Sequence, residues 1–270
     1  SSSSAASDVY KRQHLDIGHF IIYWNQEYFI KDLGKSGYDE KYFDQDRFDY
    51  PEASSEGHNT LLVNGEKQIS GKYYKQPYDY SIGGEVLDFR TNAKRDYVLM
   101  DPTNAYPKKQ LKKWRRNIIL EKPKITILLD EIHAQKNAEI KLRFHSGVDV
   151  KIHDGSVILE GNEGKMALIP ITDQKFSIKT GRHPSQMVNA TQSFNWIDYF
   201  DVEFMSSSKN TLFSNLILPV KDQNQMKKIM SSKKMEMLEN GDMKLSFDYE
   251  NQTFEYHFNK TKTGYLLDEN

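Results

Sequence analysis

Four short turn dipeptides, each flanked by runs of β-branched and aromatic residues, constrain this chain more than any other feature. Asn25-Gln26 separates HFIIYW from EYFIKD, Asn64-Gly65 separates TLLV from EKQI, Asp154-Gly155 separates VKIH from SVILE, and Asn240-Gly241 separates MEML from DMKLSFDY. Asn-Gly and Asp-Gly pairs supply the positive φ that two-residue hairpin loops require. In DMKLSFDYE, Met243, Leu245, Phe247 and Tyr249 alternate with polar residues, which is the pattern of a strand with one dry and one wet face. Aromatics make up 12% of the chain, and they suit such half-buried surfaces. Only residues 222–236, DQNQMKKIMSSKKME, read as helical, and neither a fixed repeat nor a βαβ alternation is visible. The fold class that follows is all-β, a large antiparallel β-sandwich over residues 14–270.

Length and charge narrow the function classes. A chain of 270 residues is long enough for a sizeable core. Lys+Arg total 37 against Asp+Glu 38, so no global field recruits nucleic acid or an anionic membrane, and an anionic ligand must be met by a local patch. The apolar runs FIIYW and ITILL fall far short of the roughly 20 residues that span a bilayer. Cysteine is absent, which excludes disulfides and thiolate metal sites and fits either cytoplasm or periplasm. Residues 1–13 are Ser-rich and end in DVYKRQ; they read as a non-native or disordered leader outside the fold.

Chemistry-bearing residues concentrate near the start. Taken as a strand, HLDIGHFIIYW puts His14, Asp16 and Gly18 on one side and Leu15, Ile17 and His19 on the other. Asp32 ends the next strand, and His58 opens HNTLLV, so two imidazoles and a carboxylate converge from three strand ends. Such a set suits zinc and leaves a position open. With 8 histidines and 38 acids in the chain, a chance triplet is also easily assembled. His133, His145, His153, His183 and His257 show no ligand spacing and read as surface or satisfied core residues. Between Asp32 and His58 runs a long connection carrying Tyr38, Tyr42 and Tyr50, of a length that a compact domain keeps for function. KKQLKKWRR (108–116) is the strong basic run; alternation would put Lys109, Leu111, Lys113 and Arg115 on one face, either solvated or contacting an acidic glycan.

HLDIGHF, the D-x-G of Asp32 and Gly34, the Tyr-rich connection, HNTLLVNGE from His58 and WRRNIILEKPKITILLDEI (114–132) together resemble the C-terminal domain of the heparinase II/III-like polysaccharide lyases. The resemblance implies that His14, Asp32 and His58 hold a divalent metal, zinc, in a structural role. It implies β-elimination on a uronate-containing glycan of alginate or heparin/heparan sulfate type, with Tyr42 or Tyr38 as the catalytic proton carrier. It also implies a periplasmic or secreted setting and an N-terminal helical toroid that supplies the other half of the cleft. The family usually carries a further histidine two residues before the first ligand; here that position is Arg12, so the chain reads as cut within its own motif and inactive as a fragment. The alternative is a non-catalytic module of the same fold that binds acidic glycans. A cupin-like metal enzyme would need two histidines one residue apart with a following Glu, and the sequence offers no such trio.

Overall fold

In the computed structural model, residues 14–34, 45–71, 79, 81–185, 195–207 and 210–268 are described. The chain begins with a hairpin of β1 (Ile22–Trp24) and β2 (Glu27–Ile30), then passes through short 3-10 turns to β3 (Leu61–Val63). A meander follows: β4 (Glu85–Thr91), β5 (Arg95–Asp101), β6 (Leu111–Glu121) and β7 (Ile125–Ala134). Next come β8 (Glu139–Ser146), β9 (Asp149–His153), β10 (Ser156–Glu160), β11 (Lys165–Ile171), β12 (Phe176–Ser185), β13 (Asn195–Met205) and β14 (Thr211–Pro219). Helix α1 (Gln223–Ser232) leads into β15 (Lys234–Met237), β16 (Met243–Tyr249), β17 (Gln252–Thr261) and β18 (Gly264–Leu267).

The all-β expectation holds, in three layers. An eight-stranded antiparallel sheet ordered β4-β5-β6-β7-β14-β11-β10-β9 has a four-stranded sheet, β12-β13-β8-β3, on one face. The sheet β15-β16-β17-β18 and α1 cover the other face. Two apolar cores result. Leu128, Ile132, Leu168 and Ile217 of the central sheet meet Leu142, Phe144, Phe200 and Val202 in the first; Ile127, Leu129, Ile169 and Leu216 meet Met243, Leu245, Phe247 and Phe258 in the second. Burial on both faces explains why ITILL is a continuous apolar run where an outer strand alternates.

Three of the four turn dipeptides adopt the expected backbone, while at Asn240-Gly241 only the glycine has positive φ and the connection from Met237 to Met243 is longer than a two-residue loop. Asn25 and Gln26, Asn64 and Gly65, and Asp154 and Gly155 all adopt positive φ. Asn64-Gly65, however, closes only a single bridge, Val63 to Glu66, and EKQI does not continue as a strand. Glu250 and Asn251 form a further positive-φ turn between β16 and β17 that carries no glycine. The helix expected at 222–236 is shorter, because Asp222 caps it by accepting from Gln225 N and it stops before Lys233.

The basic run is corrected in one respect. A bulge between Leu111 and Lys113 breaks the alternation, so Leu111 turns into the first core instead of sharing a face with Lys113 and Arg115. Lys113 pairs with Glu131 and Arg115 with Asp101. Arg116 is buried, so this end of the run is neither solvated nor open to a glycan.

Candidate functional site

The segment 14–21 is not the strand its alternation suggests. His19 N donates to Asp16 O at 2.9 Å, closing a turn, and Gly18 sits at φ +82°. A Cβ at Gly18 would come within 2.7 Å of Trp114 Cη2, so glycine is required both for the backbone and for the space. The turn places His14 and His19 on the same side, both against His58, with ring centroids 5.2 and 5.4 Å away respectively.

Polar side chains hold this turn almost residue by residue. Leu15 N donates to Ala53 O, and Ser55 Oγ donates to Leu15 O. Gln68 accepts from Ile17 N and donates to Ile17 O, while Thr60 Oγ1 donates to the same carbonyl. Arg116 Nη1 donates to Gly18 O at 2.8 Å and to Asn59 O at 3.2 Å. Arg116 is itself fixed by a fully buried pair with Asp130, whose Oδ1 also accepts from Trp114 Nε1. Without these bonds the buried carbonyls of a loop would have no partner.

Asp32 lies just beyond β2, after Lys31, which bridges to His145. Its Oδ1 accepts from Gly34 N at 2.6 Å, and Gly34 is at φ +96°, which accounts for the D-x-G spacing. Its Oδ2 lies 2.8 Å from His58 Nδ1 and 3.1 Å from His19 Nε2. His58 is buried after a 3-10 turn of Ser55–Gly57, and its Nε2 has no hydrogen-bond partner among the described residues. Two overlapping donor groups share this ring: His14, Asp16 and His58, and His19, Asp32 and His58, with ligand atoms in each within 4.8 Å of one another.

Electrostatics follow from burial. Removal from water lowers the pKa of His14, aided by repulsion from His58, and pushes His19 down to about 4. For Asp32 burial works upward, yet the hydrogen bond and charge of His58 outweigh it and leave the carboxyl below its ordinary value. His14 and His19 are therefore biased toward the neutral form beside a carboxyl biased toward the ionised one, the states in which such side chains donate lone pairs.

Of the three residues picked out by the sequence, His58 stands beside both others, but it does so in two separate donor groups, His14 grouping with Asp16 and Asp32 with His19. His19, which alternation had set on the opposite face from His14, joins them because the segment turns. Tyr38 and Tyr42 lie outside the described residues. Of the histidines set aside, His145 is fully buried, with Nε2 unpartnered among the described residues, and its ring stacks with His183, which in turn stacks on Tyr199. No helix among the described residues is long and apolar enough to cross a membrane.

The same architecture occurs in solved lyases. Heparinase III superposes with a TM-score of 0.64 at 17% identity, covering 90% of this chain and 35% of that one. The heparan sulfate lyase HepC from Pedobacter heparinus gives 0.67 at 14% identity, covering 90% of this chain and 36% of its own. The chain thus spans about a third of the length of these structures, and at such identities the likeness speaks for the fold. No curated protein sequence matches it. The family model "Heparinase II/III-like, C-terminal" matches residues 1–231, and the chain belongs to that family.

Proposed function

We propose that this chain is the sandwich part of a polysaccharide lyase that cleaves uronate-containing glycans of alginate or heparin/heparan sulfate type by β-elimination. The family match over residues 1–231 carries the reading, and the buried His58 ring, flanked by His14 and in contact with Asp32, supports it. A lyase of this kind removes the proton next to the uronate carboxylate and expels the neighbouring glycosidic oxygen, so it needs a proton carrier and a means of neutralising the carboxylate. Tyr42 or Tyr38, on the connection between Asp32 and His58, is the proton carrier in this reading.

The donor set fits a divalent cation, zinc first. Two imidazoles and a carboxylate without thiolates are a zinc set, and the buried His58 Nε2, without a hydrogen-bond partner among the described residues, leaves a nitrogen that a cation would satisfy. Bound there, the ion supplies a structural tie between the two ends of the connection. The chain's own residues do the rest: Gly34 N orients the Asp32 carboxylate, and Ser55, Gln68, Thr60 and Arg116 fix the turn that carries His14. Periplasmic or secreted residence goes with a polymeric acidic substrate.

The relatives' greater length supports a cleft shared with a further domain, the helical toroid. The test compares this chain with a version extended upstream to the relatives' length, each incubated with heparan sulfate, heparin and alginate while unsaturated uronate is monitored. Product from the extended protein alone is expected. Glycan binding without product by the extended protein would favour the non-catalytic module, and product from the 270-residue chain would refute the shared cleft.

A further inference from the structure

We propose that His19 is a positioning residue of the candidate metal centre and not one of its ligands: held in one tautomer by the backbone of Asn59, it presents a protonated Nε2 to the Asp32 carboxylate. The inference rests on the metal reading above and concerns a residue that proximity alone would count as a ligand, since His19, Asp32 and His58 offer donor atoms within 4.8 Å of one another.

The tautomer follows from an unambiguous donor. Asn59 N lies 2.9 Å from His19 Nδ1, and a backbone N–H can only donate, so Nδ1 must present its lone pair. A neutral ring then carries its proton on Nε2, and a doubly protonated ring would set N–H against N–H. Nε2 is 3.1 Å from Asp32 Oδ2, an acceptor. A nitrogen that carries this proton has no lone pair for a cation.

Asn59 cannot release the ring by shifting. It is fully buried; its Nδ2 donates to Phe20 O at 2.8 Å and to Lys31 O at 2.9 Å, and its Oδ1 accepts from His145 N at 2.7 Å. Four segments of chain meet at this one side chain and its backbone. The result is a carboxylate bonded by Gly34 N on Oδ1 and by His58 Nδ1 on Oδ2, with the protonated His19 Nε2 3.1 Å from the same Oδ2. Outer-shell partners of a metal-binding side chain typically change metal affinity by about 10–100-fold.

The experiment titrates Co²⁺ into the metal-free chain and into His19→Ala and His19→Gln, recording affinity and the visible absorption of the bound ion. We expect H19A to bind about 10–100-fold more weakly with an unchanged band shape, because the ligands are intact. H19Q, whose amide can donate from a similar place, is expected to recover most of the loss. Bands reshaped or lost in H19A would make His19 a ligand, and wild-type affinity in H19A would make it idle; either overturns the proposal. Failure of the unsubstituted chain to bind Co²⁺ would instead refute the metal reading. Two-bond ¹H–¹⁵N spectra of the unsubstituted chain test the tautomer without any variant: Nε2–H is expected, and Nδ1–H overturns it.

Discussion

Replacing Arg116 with Met is the sharpest test of how the site is supported. The guanidinium and the Asp130 carboxylate are 1% and 0% exposed, joined by bonds of 2.8 Å from Nε and 3.1 Å from Nη2. Met keeps much of the volume beside Trp114 but leaves the carboxylate with Trp114 Nε1–H as its remaining side-chain donor. Breaking a buried pair from one side costs about 3–5 kcal/mol, a large share of the roughly 5–15 kcal/mol that holds a domain folded. The substitution also strips Gly18 O and Asn59 O of a donor, so the loss should fall at the upper end and loosen the turn carrying His14 and His19. Urea unfolding followed by tryptophan fluorescence measures it. Adding Asp130→Asn removes the stranded charge while keeping an acceptor for Trp114, and should restore roughly 2 kcal/mol. A loss below about 1 kcal/mol in R116M, or no recovery in the double variant, would refute the reasoning.

Three further outcomes are expected. Gly18→Ala should destabilise by on the order of 2 kcal/mol, since it strains φ +82° and meets Trp114 Cη2; an unchanged melting temperature would count against the turn. Burial lowers the pKa of His14, His19, His145 and His183 when folded, with His19 near 4, whereas the unfolded chain takes up these protons near pH 6.5. The unfolded state then binds more protons below that pH, so metal-free protein should lose stability as pH falls from about 6.5 toward 4, and a flat profile in unfolding titrations would contradict it. Zinc should raise the melting temperature of chelator-treated protein, an effect that His58→Ala abolishes; equal melting with and without the ion would remove the structural role.

The hairpins were legible because their signals are local. Asn25, Asn64 and Asp154 tolerate positive φ, and the period-two pattern of Met243, Leu245, Phe247 and Tyr249 fixes which face of β16 is dry. The third layer was not, because ITILL reads the same whether one face of a strand is covered or both. Nor could alternation place His19: the rule holds only while the chain stays extended, and Gly18 bends it.

What the sequence by itself determined is the class of fold and most of the turns, which follow from sterics and chemistry within a few residues; it could name His14, Asp32 and His58 as candidate donors but not assemble them. The tertiary structure decided which side chains meet. Asn59 reaches His19 across 40 positions, and Arg116 reaches Gly18 across 98. No residue pattern encodes such a meeting, because a buried donor is satisfied by whichever acceptor the packed layers bring to it.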